Sequence, residues 1–423
     1  MTAGRNTAAE PGATAVTDFD SHDPAFARDP FSALDRLRGA CPVSWSGAWD
    51  GFWVVAGHRE VAAATRDRRL RTAHPRADGQ LQGVSIPPIG QTGRMIPLEL
   101  DAPESLPFRR LLAGFYTPSR VAARVPEFRR LAAAYVDEFV RAGRGDLVRA
   151  LTERLPSVLT LRDIGLPEDR WAEVNAVLET ALSSAPHDPE GARNAAQELC
   201  LMIVEAMEEC RDGGGSGLIT QLLGSTVGGE PVPDEAIVSM MYVLLLGIHP
   251  VSSLTATSLW HLAAQPGLRR RLVAEPGLIP RAADEFLRWV SPIQSTVRTA
   301  VEDVRLGGRD LRAGERAFLS WAGANRDESV FPDAGRLDLD RDATAHLSFG
   351  GGPHYCVGAG MVRAMFSAML EAVLTRMPDY ELERGAEVTW FPDVSFFYGV
   401  TSLPVVTGPA NARPAKGGTP WSS

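Results

Sequence analysis

The chain has 423 residues, 44% of them hydrophobic, and a formal net charge of −9. That length can bury one sizeable core or two modest ones, and the acidic balance excludes nucleic acid as a partner, for which a basic face is expected. Cys41, Cys200, Cys210 and Cys356 are few and irregularly spaced, with no CxxC and no secretory leader ahead of them, which points to a reducing cytoplasm and no disulfides.

Residues 1–17, rich in Ala, Gly and Thr, read as a disordered tail, and 408–423, rich in Pro, Gly and Ser, read the same way. A single domain over 18–407 is left between them. Lys416, the only lysine, falls in the second tail, which excludes lysine Schiff-base or general-base chemistry. Aromatic and β-branched residues around Gly51 predict a hairpin over 44–55, and the Gly- and Pro-containing stretch 80–98 predicts an entrance loop. Apolar residues at three- and four-residue intervals predict helices over 128–142, 170–181, 190–209, 235–265 and 280–290. Residues 212–217 read as an inter-helix loop and not a phosphate cradle, since no strand precedes them and no GKS or GKT follows. The apolar run 240–248 falls short of the roughly 18 residues that span a bilayer, so no membrane anchor is expected. Strand-like pieces over 303–318 and 387–406 complete a mainly α chain with small β-sheets.

Three patterns carry chemistry. Pro250 lies in the middle of the long helical stretch, where it can neither offer a hydroxyl nor donate to the carbonyl of Leu246; a kink costing roughly 3 kcal/mol is expected. Glu285 and Arg288 are three apart and share a helical face, so they can pair. Phe349-Gly350-Gly351-Gly352-Pro353-His354-Tyr355-Cys356-Val357-Gly358 then presents one cysteine on a glycine-rich loop before a helical segment. A sulfur that ligates iron needs such a turn, because backbone amides must approach it, and Gly352 and Gly358 are expected to supply the room. A buried structural cysteine is the alternative reading of the loop alone.

The pattern F-x-x-G-x-x-x-C-x-G, with a histidine two residues before the cysteine, resembles the signature of the cytochrome P450 family. The resemblance runs over roughly 18–407 through Glu285-x-x-Arg288, Val297-Arg298-Thr299-Ala300, Asn325-Arg326-Asp327 and Phe331-Pro332-Asp333 with Arg336. It implies the cytochrome P450 fold, with haem b between a long distal helix and a proximal Cys-bearing loop. Cys356 is then the axial thiolate, with Phe349, Gly352 and Gly358 around it, and Arg109, Arg298 and His354 meet the haem propionates. Ser105 stands where many bacterial members have histidine; its hydroxyl can donate, but one cationic contact is missing. Glu285, Arg288 and Arg336 take the roles of a buried polar cluster under the haem. Arg109-Arg110 alternatively form a solvated face or a rim that docks an acidic ferredoxin. No flavin-binding stretch is fused, so a separate ferredoxin and its reductase, or peroxide, are implied, and the chain is expected to be a monomer.

Most family members carry Ala-Gly-x-Asp/Glu-Thr on the distal helix, where the acid and the alcohol relay protons. Counting back from Glu285 places this motif on Leu246-Gly247-Ile248-His249-Pro250, so Gly247 matches while His249 and Pro250 replace the relay pair. His249 could donate a proton or anchor a substrate carboxylate or amide; alternatively it only packs, and water carries the protons. Peroxide-using members with Arg-Pro at these places resemble this arrangement, and members without the pair perform oxidative coupling or ring closure on aromatic natural products. The expected function is therefore that of a haem-thiolate oxidoreductase of secondary metabolism that couples or cyclises an aromatic substrate, an indole or a cyclic dipeptide among them. Ordinary hydroxylation, peroxide-driven oxygenation and a non-catalytic haem sensor are the alternatives. Ser295 and Thr296, with Phe396 and Phe397 in a late turn, are expected to line the substrate pocket, although each of these aromatics could equally pack in the core.

Overall fold

Thr117 caps the helix Pro118–Ala142 at its start through an Oγ bond to the amide of Arg120, and Gly143, at φ 81°, ends it in the left-handed conformation that glycine adopts without strain. The helix runs ten residues further back than its periodicity suggested, because it continues through Pro126, which reads in sequence as a boundary. Its buried stripe, with Phe128, Tyr135, Val136 and Phe139, joins the cysteine-proximal helix Ala359–Arg376 in one core. In this computed structural model, residues 16–75, 81–87, 93–183 and 187–408 are described. The tail stretches 1–15 and 409–423, with Lys416, lie outside the described residues, as do 80 and 88–92 of the entrance stretch.

The paired helices Trp171–Ser183 and Pro189–Arg211 share a second core with Asp234–Leu246. The stretch expected to be one helix over 235–265 is two, Asp234–Leu246 and Ile248–Ala264, meeting at Gly247. The reason is Pro250: it occupies the first turn of the second helix, where its missing N–H would be unpaired in any case. The expectation about membrane length also needs correcting. Taken together, Asp234–Ala264 is long and apolar enough to cross a bilayer by composition, but 67% of its most apolar window is buried inside the protein, as befits a core helix.

A six-stranded mixed sheet lies beside the helices, in the order Val16–Thr17, Val43–Ser46, Phe52–Val55, Arg316–Ser320, Ser295–Ala300 and Leu70–Arg71. The expected hairpin is its second and third strands. Val16–Thr17, assigned to the disordered tail, instead pairs in parallel with Trp45–Ser46, because the hairpin leaves an edge open to it. Gly408, placed in the other tail, is likewise buried. A three-stranded sheet joins Glu381–Leu382, Pro404–Val406 and Arg144–Asp146, and the small hairpin Thr389–Trp390 with Val400–Ser402 carries the late aromatic turn at its tip. The architecture is mainly helical with small sheets, as expected.

Candidate active site

The cysteine loop is fixed by its own backbone. The Cys356 amide donates to the Phe349 carbonyl at 3.0 Å, the Gly350 amide to Leu347 at 2.9 Å, and the Gly358 amide turns toward the sulfur. Burial pushes the thiol up, while the Gly358 amide and the charges of Arg109 and Arg363 pull the other way. Gly352 does not serve the sulfur as expected. At φ 61°, a Cβ there would stand 2.3 Å from the Thr65 carbonyl oxygen, so the glycine lets the loop lie against the segment after the helix His58–Ala64. Sequence reasoning missed Asn325 as a tie between this loop and the helix Leu278–Val290. Its Nδ2 donates to Ser291 and Ser348, and its Oδ1 accepts from the Leu347 amide at 2.7 Å.

Beneath the loop, Glu285 and Arg288 form a fully buried bidentate pair, at 2.7 and 2.8 Å. Arg288 also donates to the carbonyls of Asn325 and Ala334, both at 2.8 Å, and of Arg336, at 3.1 Å. The third cation is not the Arg336 side chain, which is 67% exposed and pairs with Asp338. It is Arg341, only 10% exposed, whose Nε donates to Glu285 at 3.2 Å. The turn after Phe331 brings the Arg336 backbone to the cluster and sends its side chain outward, a distinction that spacing alone does not carry.

Between this layer and the distal helices lies a cavity of about 1290 Å³, its open mouth included, with Cys356, Phe349 and Val362 in one wall. One side of the cavity is cationic. Arg298 is 4% exposed, and among the described residues it donates only to its own strand, at Thr296 Oγ1 (3.2 Å) and the Val297 carbonyl (2.9 Å). Burial pulls its pKa down to about 10. Arg109 lines the same side and donates to the Tyr355 carbonyl at 2.5 Å, whereas its neighbour Arg110 is exposed. His354 lines it too; its Nε2 meets Asp101 at 3.0 Å and its buried Nδ1 has no partner among the described residues. Burial is the main force holding His354 below the usual imidazole range. A buried guanidinium and a second one close by form a donor set that lacks its anion, and the orphaned Nδ1 of His354, a lone pair while Nε2–H is given to Asp101, joins that set as a donor only when the ring is protonated. They fit a dianionic cofactor edge such as the two propionates of haem, and the cysteine in the adjoining wall fits its iron. Ser105, one turn before Arg109 in the helix Ser105–Phe115, has a buried hydroxyl without a partner among the described residues but does not line the cavity.

The distal wall holds Val243, Leu244, Leu246, Gly247 and Pro250. His249 is absent from it, contrary to the expectation that it reaches the cavity as a donor or anchor. One position before Pro250, it points about 100° around the helix, and its ring packs between Phe391 and Phe397, each centroid 6.1 Å away. It opens instead onto a separate cleft lined by Asp146, Arg149, Glu153 and Ser252. Burial alone drops its pKa to about 4, so at neutral pH it is uncharged.

Of the four residues expected at a substrate pocket, Thr296, Phe396 and Phe397 line this cavity and Ser295 does not; its Oγ donates to the Ser395 carbonyl at 2.6 Å. Strand alternation explains the split, since Thr296 and Arg298 share one face of Ser295–Ala300 and Ser295 points to the other. Gly399 seats the aromatic turn. It has φ 144°, and a Cβ there would come within 2.5 Å of Ser253 Cβ and 2.8 Å of Thr257 Oγ1 on the distal helix. Pro97, Leu98 and Ile293 complete the apolar wall; 97 and 98 belong to the described part of the entrance stretch.

A family model described as Cytochrome P450 matches residues 277–383. Cytochrome P450-SU2 of Streptomyces griseolus is 33% identical over 92% of this chain and 97% of its own length. Cytochrome P450 monooxygenase PikC of Streptomyces venezuelae is 29% identical over 92% of this chain and 94% of its own. Among solved structures, CYP105P1 in complex with filipin I superposes with a TM-score of 0.81 at 27% identity, covering 94% of this chain and 99% of that one.

Proposed function

This chain belongs to the cytochrome P450 family, whose cofactor is haem with an axial cysteine thiolate, and from that premise we propose that it is an oxidoreductase of natural-product biosynthesis that couples or cyclises an aromatic substrate. An indole or a cyclic dipeptide is the kind of substrate meant. Cys356 would hold the iron, and Arg109 and Arg298, with His354 when its ring is protonated, would hold the propionates; Ser105, which does not line the cavity, has no part in this set. Bound there, haem supplies dioxygen activation and one-electron oxidation of the substrate.

The observation that carries this reading is the distal wall, where Pro250 occupies the alcohol position and His249 is turned out of the cavity. No side chain of that wall can move a proton near neutral pH, so the cavity lacks the acid–alcohol relay, a feature it shares with family members that couple or cyclise aromatic products. Leu246 ends the first distal helix, so its carbonyl has no intrahelical donor and is available to accept from an N–H or O–H of the substrate. Phe396, Phe397 and the aliphatic distal residues orient a flat ring and exclude water. A peroxide-driven reading that needs residue 249 to anchor a substrate carboxylate loses its anchor. Oxygen insertion is the second reading, favoured by relatives named a monooxygenase, PikC, and a hydroxylase/epoxidase acting on mycinamicin IV.

Electrons come from a separate ferredoxin and its reductase, docking where exposed Arg110 and the 44% exposed Tyr355 flank the cysteine loop. Among the described residues no cysteine is in a disulfide, which suits a reducing cytoplasm, and the chain acts as a monomer. Product analysis of an aromatic panel in ¹⁸O-labelled dioxygen tests the central statement. Coupled or cyclised products without label are expected; label in the main product would overturn it.

A further inference from the structure

The His22 side chain is 6% exposed, and both of its ring nitrogens are engaged. Nδ1 lies 2.5 Å from Asp393 Oδ2, and Nε2 lies 2.5 Å from the carbonyl oxygen of Ile86. Asp20 Oδ1 accepts from the His22 amide and from Trp49 Nε1, both at 2.9 Å, and the Trp49 ring stands edge-on to the imidazole at 5.0 Å.

Counting protons defines the charge state. A carbonyl oxygen only accepts, so Nε2 carries a hydrogen, and a carboxyl oxygen facing Nδ1 at bonding distance requires one more proton between them. Asp393 Oδ1 already accepts the Ser395 amide at 2.8 Å, which favours the carboxylate and leaves that proton on the ring. The charged groups that face the ring are Asp393, from the turn, and Asp20, from its own segment; the hairpin contributes the neutral Trp49 and the entrance segment a carbonyl. Burial pulls the imidazole down, but the bond and charge of Asp393, the Ile86 carbonyl and Asp20 outweigh it, and the net shift is upward. For Asp393 the burial effect is likewise outweighed by His22, and its carboxyl is held down.

Asp393 opens the turn whose aromatics, Phe396 and Phe397, line the cavity. Ile86 ends a segment that does not line it but is laid, through the Val297 amide and the Val84 carbonyl at 2.7 Å, along the strand Ser295–Ala300, which lines it through Thr296 and Arg298. Resting on the reading of that cavity as the substrate pocket, we propose that His22 is a positioning residue: its imidazolium, donating from both nitrogens, ties the aromatic turn to the entrance segment. Neutral imidazole keeps one N–H, so one acceptor then meets a lone pair and that end lets go. The tie is whole above the carboxylate range and is lost as pH rises through the elevated imidazole value.

The test uses the holoenzyme with two probes, imidazole and 4-phenylimidazole, both of which ligate haem iron while only the second needs the aromatic wall. Their dissociation constants are read from the Soret shift between pH 6 and pH 9, each referred to the neutral form of its azole so that protonation of the probes themselves drops out. In the unsubstituted enzyme the preference for 4-phenylimidazole over imidazole should fall by about threefold to tenfold as pH rises, whereas H22Q and D393N should stay flat. Should H22Q fail to retain haem, D393N carries the comparison alone. In parallel, tryptophan emission should rise as His22 loses its proton beside Trp49, and that step should vanish in W49F and H22Q. A preference that is flat in the unsubstituted enzyme, or that falls equally in D393N, overturns the proposal. An emission step with no azole binding at all places the failure in the pocket reading, and the positioning role falls with it.

Discussion

The two faces of the cavity are built on opposite plans. On the cysteine side the buried charges of Glu285 and Arg288 are matched, Arg341 and the Asp338 amide complete the acceptor capacity of Glu285, and loop amides approach the sulfur. On the distal side the chain lays down Val243, Leu244, Leu246, Gly247 and Pro250, and turns the His249 imidazole away. Polar order is spent on holding the metal, and the open face is left without groups that handle protons. The holding side follows the family's pattern; the open side departs from it, and there this chain's own chemistry is decided.

The comparison breaks most sharply at the sulfur. C356S should abolish the red-shifted carbon monoxide band of the reduced protein entirely, and a retained band would remove the metal from this loop. Next is E285Q, which leaves Arg288 and Arg341 buried without their countercharge; a loss of about 3–5 kcal/mol is expected in denaturant unfolding. The assignment of the third cation is sharpened by a pair: R341M should cost about 1–3 kcal/mol, while R336M should stay within about 0.5 kcal/mol. Equal effects would restore Arg336 to the cluster.

On the distal side, P250T returns a hydroxyl to the cavity wall and should raise the oxygen-inserted fraction of products about tenfold, with H249E adding little because position 249 faces the other cleft. The reverse ranking, read by mass spectrometry, would place residue 249 back in the reaction. The smallest effect is a pH one. The folded chain keeps His249 neutral down to about pH 4, below its ordinary value of 6.5, so stability is full above 6.5 and falls as the unfolded chain takes up a proton below it. Between pH 6.5 and 5.5 the melting curve should reflect about 1 kcal/mol of lost stability, and H249N should flatten that dependence while leaving the turnover profile between pH 6 and 8 unchanged.

Much of this was legible in residue order alone. The cysteine loop and the Glu285–Arg288 pair depend on local spacing, and local spacing is what a sequence displays. Helices with clear apolar stripes were found, while the helix Ser105–Phe115 was not among those predicted and Pro126 hid the first ten residues of another. What sequence could not show was direction. Position 249 differs from position 250 by one step around a helix, 295 from 296 by one step along a strand, and 336 from 341 by the course of a turn. Thr65, Asn325 and His22 act through partners far away in the chain, and no short motif marks them.

Gly399 has a practical consequence for redesign. Its backbone lies against Ser253 and Thr257, and the Val400 amide donates to Thr257 Oγ1 at 3.0 Å, so the tip hairpin is held to the distal helix at a point outside residue 396. Position 396 is therefore an exchangeable tile on a fixed frame for varying ligand shape, whereas Phe397, buried and stacked on Phe391, belongs to the frame. Randomising 399 as well would shift the whole panel and scramble every variant at once.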